Sequence, residues 1–232
     1  MFNVAIALIV GIVVGVPLAL LLSPIEGILP GVAVTAIVYF VLARRSMKQL
    51  EAVLKVAEKE LLANRIDRAV QIIESGRALG RWQFLVESQI DAQLGMIYYI
   101  RDDAKKAQPY LERAFTRLWI TSAMLAAIYF KKKDVDAMRK TFDKTVAIGK
   151  KQGLAWSVYA WCEWKLGNTE RAIEILGRGQ KVLGESDERL TSNLLALQND
   201  KKMKMKSYGE QWYQFRLEKM PVEKQQYRFA RG

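Results

Sequence analysis

The segment Gly167-Asn-Thr-Glu-Arg-Ala172-Ile-Glu-Ile-Leu176 combines a turn with an apolar face of helical spacing. The Gly-Asn pair at its start is a turn signal, and Ala172, Ile175 and Leu176 then recur at intervals of three and four residues. A small residue on this face, such as Ala172, lets the backbone of a neighbouring helix come close. The segment therefore predicts the second helix of an antiparallel helix pair.

Three earlier segments have the same pattern, and they begin at Asn64, Asp102 and Lys133. Their equivalent positions, numbered 69, 107, 138 and 172, are separated by 38, 31 and 34 residues. Self-similarity at a period of about 34 residues is typical of a helical repeat protein. After Ser46 the chain contains only two prolines and no β-branched runs, so we predict an all-α fold.

The helix before each of these segments points to a particular family. Leu94-Gly95-Met-Ile-Tyr98 resembles the L-G-x-x-Y signature of the tetratricopeptide repeat (TPR), and Trp156, Ala160 and Leu166-Gly167 fall where the family has its Trp, small residue and Leu-Gly turn. The chain thus resembles a TPR protein, and the resemblance implies an α-solenoid. Small residues would let each pair pack, and each pair would bury its apolar face on the next.

The resemblance is specific in the second and fourth repeats and degenerate in the first and third. Val53, Asp91 and Ser122 stand where the family often has Trp, and Met138 replaces the small residue. We predict about four TPR-like helix pairs over residues 50–186, a capping helix over 187–198 and a basic aromatic tail over 199–232. A helical bundle that matches the repeat by coincidence is the alternative.

The first 43 residues form a separate apolar segment with one charge, Glu26. Met1–Leu22 is long enough to cross the hydrocarbon core of a membrane, Ser23–Gly27 is predicted to be a turn, and Ile28–Ala43 is a second, slightly short apolar run. We therefore predict a transmembrane helical hairpin over residues 1–43, followed by a basic juxtamembrane linker over residues 44–49. A cleaved signal peptide and a single span with a buried second helix are the alternatives.

Basic residues at the end of the apolar segment predict its orientation. Arg44, Arg45 and Lys48 would lie at the cytoplasmic membrane surface by the positive-inside rule. We therefore expect a multi-pass protein of the cell (inner) membrane of a bacterium, with both termini in the cytoplasm. Gly11 and Gly15 form a G-x-x-x-G motif that would pack helices within the membrane. Its first expected partner is the second helix of the same chain near Gly31, and a homo-oligomer is the alternative.

The composition removes several classes of function. The chain has no histidine and one cysteine, Cys162, so it lacks the commonest general base and any disulfide or cysteine-based zinc site within one chain. Its glycine-rich segments do not match a phosphate-binding loop. We expect no enzyme activity, no cofactor and no metal, and we expect Cys162 to be inert packing.

The resemblance implies a partner-binding groove lined by the first helix of each pair. Large aromatic side chains beside lysines would suit an apolar or amphipathic protein segment with some acidic character. The Lys and Asn residues of the family's carboxylate clamp are absent from the matching positions, so binding of chaperone tails is not expected. In the alternative, Trp161 and Trp164 lie under the chain's own tail. The predicted groove residues are Met96, Tyr99, Ile100, Phe130, Lys131, Trp161, Trp164 and Lys165.

The tail over residues 199–232 has a net charge of +5 and several aromatic residues, including Trp212, Tyr213, Phe215, Tyr227 and Phe229. Such a segment can bind anionic lipid, nucleic acid or a protein. We favour instead a partly helical extension that folds against the last repeat and buries Trp212 and Phe215. Nucleic acid is not the expected partner, because the basic cluster after the hairpin better fits an anionic bilayer.

These observations predict a membrane-anchored TPR scaffold or adaptor that binds and organises protein partners at the cytoplasmic face of the membrane. The anchor would raise the local concentration of the partner. One alternative is a constitutive structural subunit of a larger membrane protein complex, of the envelope-assembly or secretion type by analogy of fold. The other is a tether to anionic lipid or nucleic acid through the tail.

Overall fold

The computed structural model describes residues 1–114 and 117–219, apart from the side chain of Glu185. Within these residues the chain forms helices and no strand, so the prediction of an all-α protein is confirmed. The helices are α1 Phe2–Leu21, α2 Pro24–Leu62, α3 Ile66–Ser75, α4 Val86–Ile100, α5 Ala104–Arg113, α6 Trp119–Lys131, α7 Val135–Ile148, α8 Gly153–Lys165, α9 Thr169–Leu183, α10 Glu188–Gln198 and α11 Glu210–Tyr213. Short 3₁₀ segments cover Gly76–Arg81, Gly184–Ser186 and Met205–Tyr208.

The chain divides into two compact units, each of which has its own core. Of the described residues, the first unit takes 1–97 and 109–114, and the second takes 98–108 and 117–219. In the first unit, α1 packs along the first half of α2, and α3 also packs on α2. In the second unit, α6 pairs with α7, α8 pairs with α9, and α10 packs on both α8 and α9.

One turn conformation recurs before the second helix of each predicted pair. Asn64, Asp102, Lys133 and Gly167 all have a positive φ, between 56° and 87°. The following N–H groups, those of Arg65, Asp103, Asp134 and Asn168, donate to carbonyls five residues earlier, over 2.8–3.0 Å. This is the 6→1 bond of the Schellman motif, which closes a helix C-terminus with one left-handed residue. The structure thus repeats the same helix end at all four predicted positions.

The helix pairs are close because small residues line them. Ala69, Ala107 and Ala172 are completely buried at equivalent positions, and so is Met138. A Cβ atom on Gly95 would lie 2.7 Å from Leu111 Cδ2, and one on Gly179 would lie 2.7 Å from Trp156 Cγ. In α8 every residue from Gly153 to Glu163 is buried, as expected for a helix with apolar residues on all sides.

The second apolar helix does not end where we expected. Residues 44–49, the expected linker, lie inside α2, which continues to Leu62 without interruption. The arginines change the polarity of the helix but do not break it, because residues 41–62 contain neither proline nor glycine. At the other end, Pro24 begins α2 and Ser23 Oγ caps it by accepting from Glu26 N. The turn between the two helices is therefore shorter than the expected Ser23–Gly27, and the apolar part of α2 begins earlier than the expected Ile28.

In the described part of the chain, two helices are long and apolar enough to span a membrane, Phe2–Leu21 and the N-terminal part of Pro24–Leu62. Most of their large apolar side chains point outward. Val13, Val32 and Phe40 are each at least 63% exposed. The contact between the helices is made by glycine. A Cβ atom on Gly11 would lie 2.7 Å from Gly31 O, and one on Gly15 would lie 3.0 Å from Gly27 O.

Candidate partner-binding face

The inner face of the second unit, defined here by Tyr99, Trp119, Phe130 and Trp161, carries an aromatic cluster. Tyr99 is at the end of α4, Trp119 and Phe130 are on α6, and Trp161 is on α8. The rings of Phe130 and Trp161 meet edge to face, with centroids 5.8 Å apart. Such an arrangement contributes about 0.5–1.5 kcal/mol beyond the burial of area. Trp119 was not among the predicted groove residues, although it lies on the same helix as Phe130.

The chain's own C-terminal segment covers this face. Residues 203–219, which we call the strap, insert Trp212 and Phe215, and both side chains are fully buried. The Trp212 ring meets Trp161 edge to face at 5.1 Å, and the Phe215 ring lies 6.2 Å from Trp119. Tyr99 Oη donates to the carbonyl oxygen of Phe215 over 2.5 Å. The strap therefore packs on α4, α6 and α8 rather than on the last helices alone.

Polar contacts hold both ends of the strap. At its start, Asn193 Oδ1 accepts from Lys204 N at 2.6 Å, and the hydroxyls of Tyr208 and Ser157 are 2.8 Å apart in the buried region. At its end, Arg216 Nη1 donates to Ile100 O at 2.8 Å. Arg216 Nε also pairs with Asp102 at 3.2 Å. Burial raises the pKa of Tyr208, and the hydrogen bond with Ser157 only partly opposes that shift.

The predicted groove residues divide into covered and accessible ones. Tyr99 and Trp161 are buried beneath the strap, while Phe130 and Trp164 are half-buried. Ile100, Lys131 and Lys165 are exposed, and Met96 is partly exposed on α4. The tail of the same chain therefore covers Trp161, as in the alternative to an open groove. Tyr227 and Phe229 of the predicted tail lie outside the described residues.

Lysines border the aromatic cluster on its open side. Lys131 Nζ lies 5.7 Å from the centre of the Tyr99 ring, and Lys165 Nζ lies 4.6 Å from that of Trp164. Burial lowers the pKa of Lys131, against the attraction of Asp102. Beside the strap, a cavity of about 590 Å³ is lined by Asp102, Lys131 and Arg216, among others. This open edge combines cations with aromatic surface, which suits an acidic or amphipathic segment.

One buried charge fixes α8 behind this face. Glu163 is completely buried and accepts from Arg139 Nε at 2.7 Å and from Arg139 Nη2 at 2.9 Å. Asn168 Nδ2 donates to the same carboxylate at 2.9 Å, and Arg171 lies 3.1 Å away. Burial opposes the ionisation of Glu163, but the hydrogen bonds from Arg139 and Asn168 outweigh it and lower its pKa. The thiol of the adjacent residue Cys162 is also fully buried, and burial raises its pKa.

A second polar cluster lies in the first unit, at the open end of the helical hairpin. Asn3 Nδ2 donates to Ser46 Oγ at 2.9 Å and to Gln83 Oε1 at 3.2 Å, and all three residues are buried. Gln83 Nε2 donates in turn to Tyr39 Oη at 3.0 Å. No local sequence pattern predicts this cluster, although Asn3 is the only clearly polar residue of the first span. The predicted surface cations Arg44, Arg45 and Lys48 are all exposed on α2.

No family model and no curated protein matches this sequence. Among solved structures, a crystal structure of the MamA protein is similar to it at 13% sequence identity. The similarity covers 77% of this chain and 92% of that chain, with a TM-score of 0.48. Similarity at this level does not assign the chain to a family.

Proposed function

We propose that this protein is a membrane-anchored scaffold of the TPR type, which binds a protein partner through the inner face of its helical repeats. The observation that carries the proposal is the strap. This C-terminal segment, which contains short helical turns and two aromatic anchors, Trp212 and Phe215, already lies on the inner face, so this face has the shape and chemistry to hold such a segment. Aromatic anchors in desolvated pockets are typical of peptide recognition. The mechanism is binding, not catalysis.

The repeat assignment rests on the four identical helix ends. Each has a left-handed residue, a 6→1 hydrogen bond and then a helix whose fifth residue after the turn is buried. Their sequence spacing averages about 34 residues, which is the TPR period. The pattern favours repeated helix pairs over a bundle that matches by coincidence.

Membrane anchoring is supported by the exposure of the apolar residues on α1 and α2. The apolar helix of a soluble core would bury such side chains, whereas Ile9, Val13 and Val32 are at least 60% exposed. Side chains of this kind are stable when lipid covers them. The hairpin would be multi-pass in the cell (inner) membrane, with both termini in the cytoplasm, because Arg44, Arg45 and Lys48 follow the second span.

Site-specific photo-crosslinking in intact membranes tests the binding proposal. A photoreactive amino acid would replace Ile100, which is 54% exposed beside Arg216 of the strap. The matched control is Val182, an apolar residue on α9 that is 50% exposed. We expect a discrete partner adduct from position 100 and none from position 182. Equal adducts from both positions, or none from position 100, would contradict a partner site on the inner face.

A constitutive structural subunit of a larger complex is the second candidate. Leu195 on α10 is an exposed apolar residue outside the strap, and it would be covered in a permanent assembly. Size-exclusion chromatography of mild-detergent extracts separates the two functions. A discrete small species favours the adaptor, and a large stoichiometric assembly favours the subunit.

A further inference from the structure

Residues 82–85, which we call the interfacial loop, form an exposed apolar segment that is firmly held in the first unit. Trp82 is 45% exposed, Phe84 43% and Leu85 37%. Leu85 also has a φ of 71°, a left-handed conformation that a bulky residue adopts at a cost and that glycine would adopt freely. Trp82, Phe84 and Leu85 thus place three exposed apolar side chains within four residues, a patch of the kind that marks contact with a protein or a membrane.

Contacts with the start of the first apolar helix fix the position of this loop. The amino group of Met1 donates to Arg81 O, and Asn3 N donates to Trp82 O at 3.1 Å. The Phe2 and Trp82 rings meet edge to face with centroids 5.3 Å apart. The loop therefore lies beside the first turn of α1, where the uncharged helix begins.

Contacts with α2 independently place the loop at the same end of the helical hairpin. Gln83 donates to Tyr39 Oη at 3.0 Å, and Asn3, which also bonds Gln83, bonds Ser46. The loop thus lies between residues 39 and 46 of α2, and this is where the uncharged sequence ends at Arg44 and Arg45. In a membrane-spanning hairpin this level is the boundary between hydrocarbon and headgroups, where Trp and other aromatic residues concentrate.

We propose that the interfacial loop inserts Trp82, Phe84 and Leu85 into the interfacial layer of the bilayer, so that the first repeat is docked on the lipid surface and not only tethered to it. Cations at the same level support lipid as the occupant. Arg45 and Trp82 line one cavity of about 360 Å³, together with Asn3 and Ser46. Arg81 adds positive charge beside the aromatic side chains, which matches an anionic lipid surface. This inference rests on the proposed insertion of the hairpin.

Depth-dependent quenching of an environment-sensitive fluorophore tests the inference. The full-length protein with the substitution Phe84→Cys would be labelled and reconstituted into vesicles of phosphatidylcholine and phosphatidylglycerol that carry nitroxide lipids. Cys162 is completely buried and stays unlabelled under native conditions, and the unsubstituted protein measures any background. Trp82→Cys is a second reporter of the same loop, in case the first variant does not fold.

Two matched sites make the result interpretable. Leu62→Cys places a label at an exposed position at the C-terminal end of α2. This position lies roughly 24 Å along the helix from Ser46, at a rise of 1.5 Å per residue, and so away from the interfacial loop. Val13→Cys reports an outward-facing position in the middle of α1. We expect the loop label to be quenched several times more strongly than the label at position 62, and more by nitroxides near the headgroup than by deep ones. The label at position 13 should show the opposite depth preference.

The outcomes separate the two proposals. If the label at position 13 is quenched but the loop labels behave like the one at position 62, the hairpin is inserted and the interfacial loop is not, which overturns the inference alone. A loop label that is blue-shifted but not quenched by lipid nitroxides also overturns it, because protein would then cover the loop. If no label is quenched, the membrane insertion of the proposed function fails as well.

Discussion

Replacement of Glu163 by glutamine should destabilise the repeat region strongly while leaving its shape unchanged. The substitution keeps the volume of the side chain and removes only its negative charge. In the folded protein this fully buried carboxylate receives two hydrogen bonds from Arg139, one from Asn168 and an ion pair from Arg171. The amide oxygen of the variant can replace only one of the two carboxylate oxygens, and its NH₂ group would face the donors of the other, which include a guanidinium N–H in either orientation.

The size of the effect follows from the exposure of each partner. A hydrogen bond to a charged group contributes about 1.5–3 kcal/mol, and breaking a buried ion pair costs about 3–5 kcal/mol. The side chains of Arg139 and Arg171 are 31% and 42% exposed, so water solvates both after the substitution and reduces the loss. We therefore expect the free energy of unfolding to fall by about 2–3 kcal/mol, or roughly 5–10 °C in Tm for a region of this size.

Thermal unfolding followed by circular dichroism in mild detergent measures this loss. The matched control is Glu174→Gln, which removes an exposed carboxylate from the neighbouring helix α9 and should change Tm by less than about 2 °C. A Glu163→Gln variant that unfolds at the temperature of its control would refute the conclusion that this carboxylate stabilises the pairing of α8.

The pH dependence gives a second and independent check. The pKa of Glu163 in the folded protein lies below its ordinary value of 4.5. The stability that its charge contributes is therefore complete above pH 4.5 and is lost as the pH falls through the folded pKa. We expect the difference in Tm between the wild type and Glu163→Gln to be constant above pH 4.5 and to shrink below it. A difference that grows at acid pH would contradict this reasoning.

Three further predictions concern other parts of the chain. Trp212→Ala should release the strap, with a loss of about 3–5 kcal/mol of local stability and faster amide hydrogen exchange in α8. The control is Trp164→Ala at a half-buried site, and equal exchange rates in the two variants would count against the strap as a cover of α8. Gly27→Val should separate α1 from α2, because its Cβ would overlap Ala19. The hairpin should then unfold at a lower dodecyl sulfate fraction than the outward-facing control Val32→Leu, and identical midpoints would contradict the packing. Cys162 should react with a maleimide only after denaturation, and prompt labelling of the native protein would disprove its burial.

Features that depend on neighbouring residues were predicted well from the sequence. The four turns at Asn64, Asp102, Lys133 and Gly167 were located because each is closed by hydrogen bonds to carbonyls three to five residues away. The two apolar helices followed from the absence of charge between Met1 and Ala43, apart from Glu26. The end of the second helix was misplaced, because a change in polarity at Arg44 is not a helix stop unless glycine or proline accompanies it.

The inner face and the interfacial loop could not be assigned in the same way, because their contacts join residues far apart in the chain. Tyr99 and Phe215 are 116 residues apart, and Asn3 and Gln83 are 80 apart. A lone aromatic or polar residue has the same local pattern whether it is exposed, covers a groove or faces lipid. Sequence alone was therefore enough to predict helices, their repeat and an apolar leader, since local hydrogen bonding and periodic burial specify them. Only the tertiary structure decided which aromatic residues are covered by the strap and which remain exposed, because that depends on which distant segments pack together.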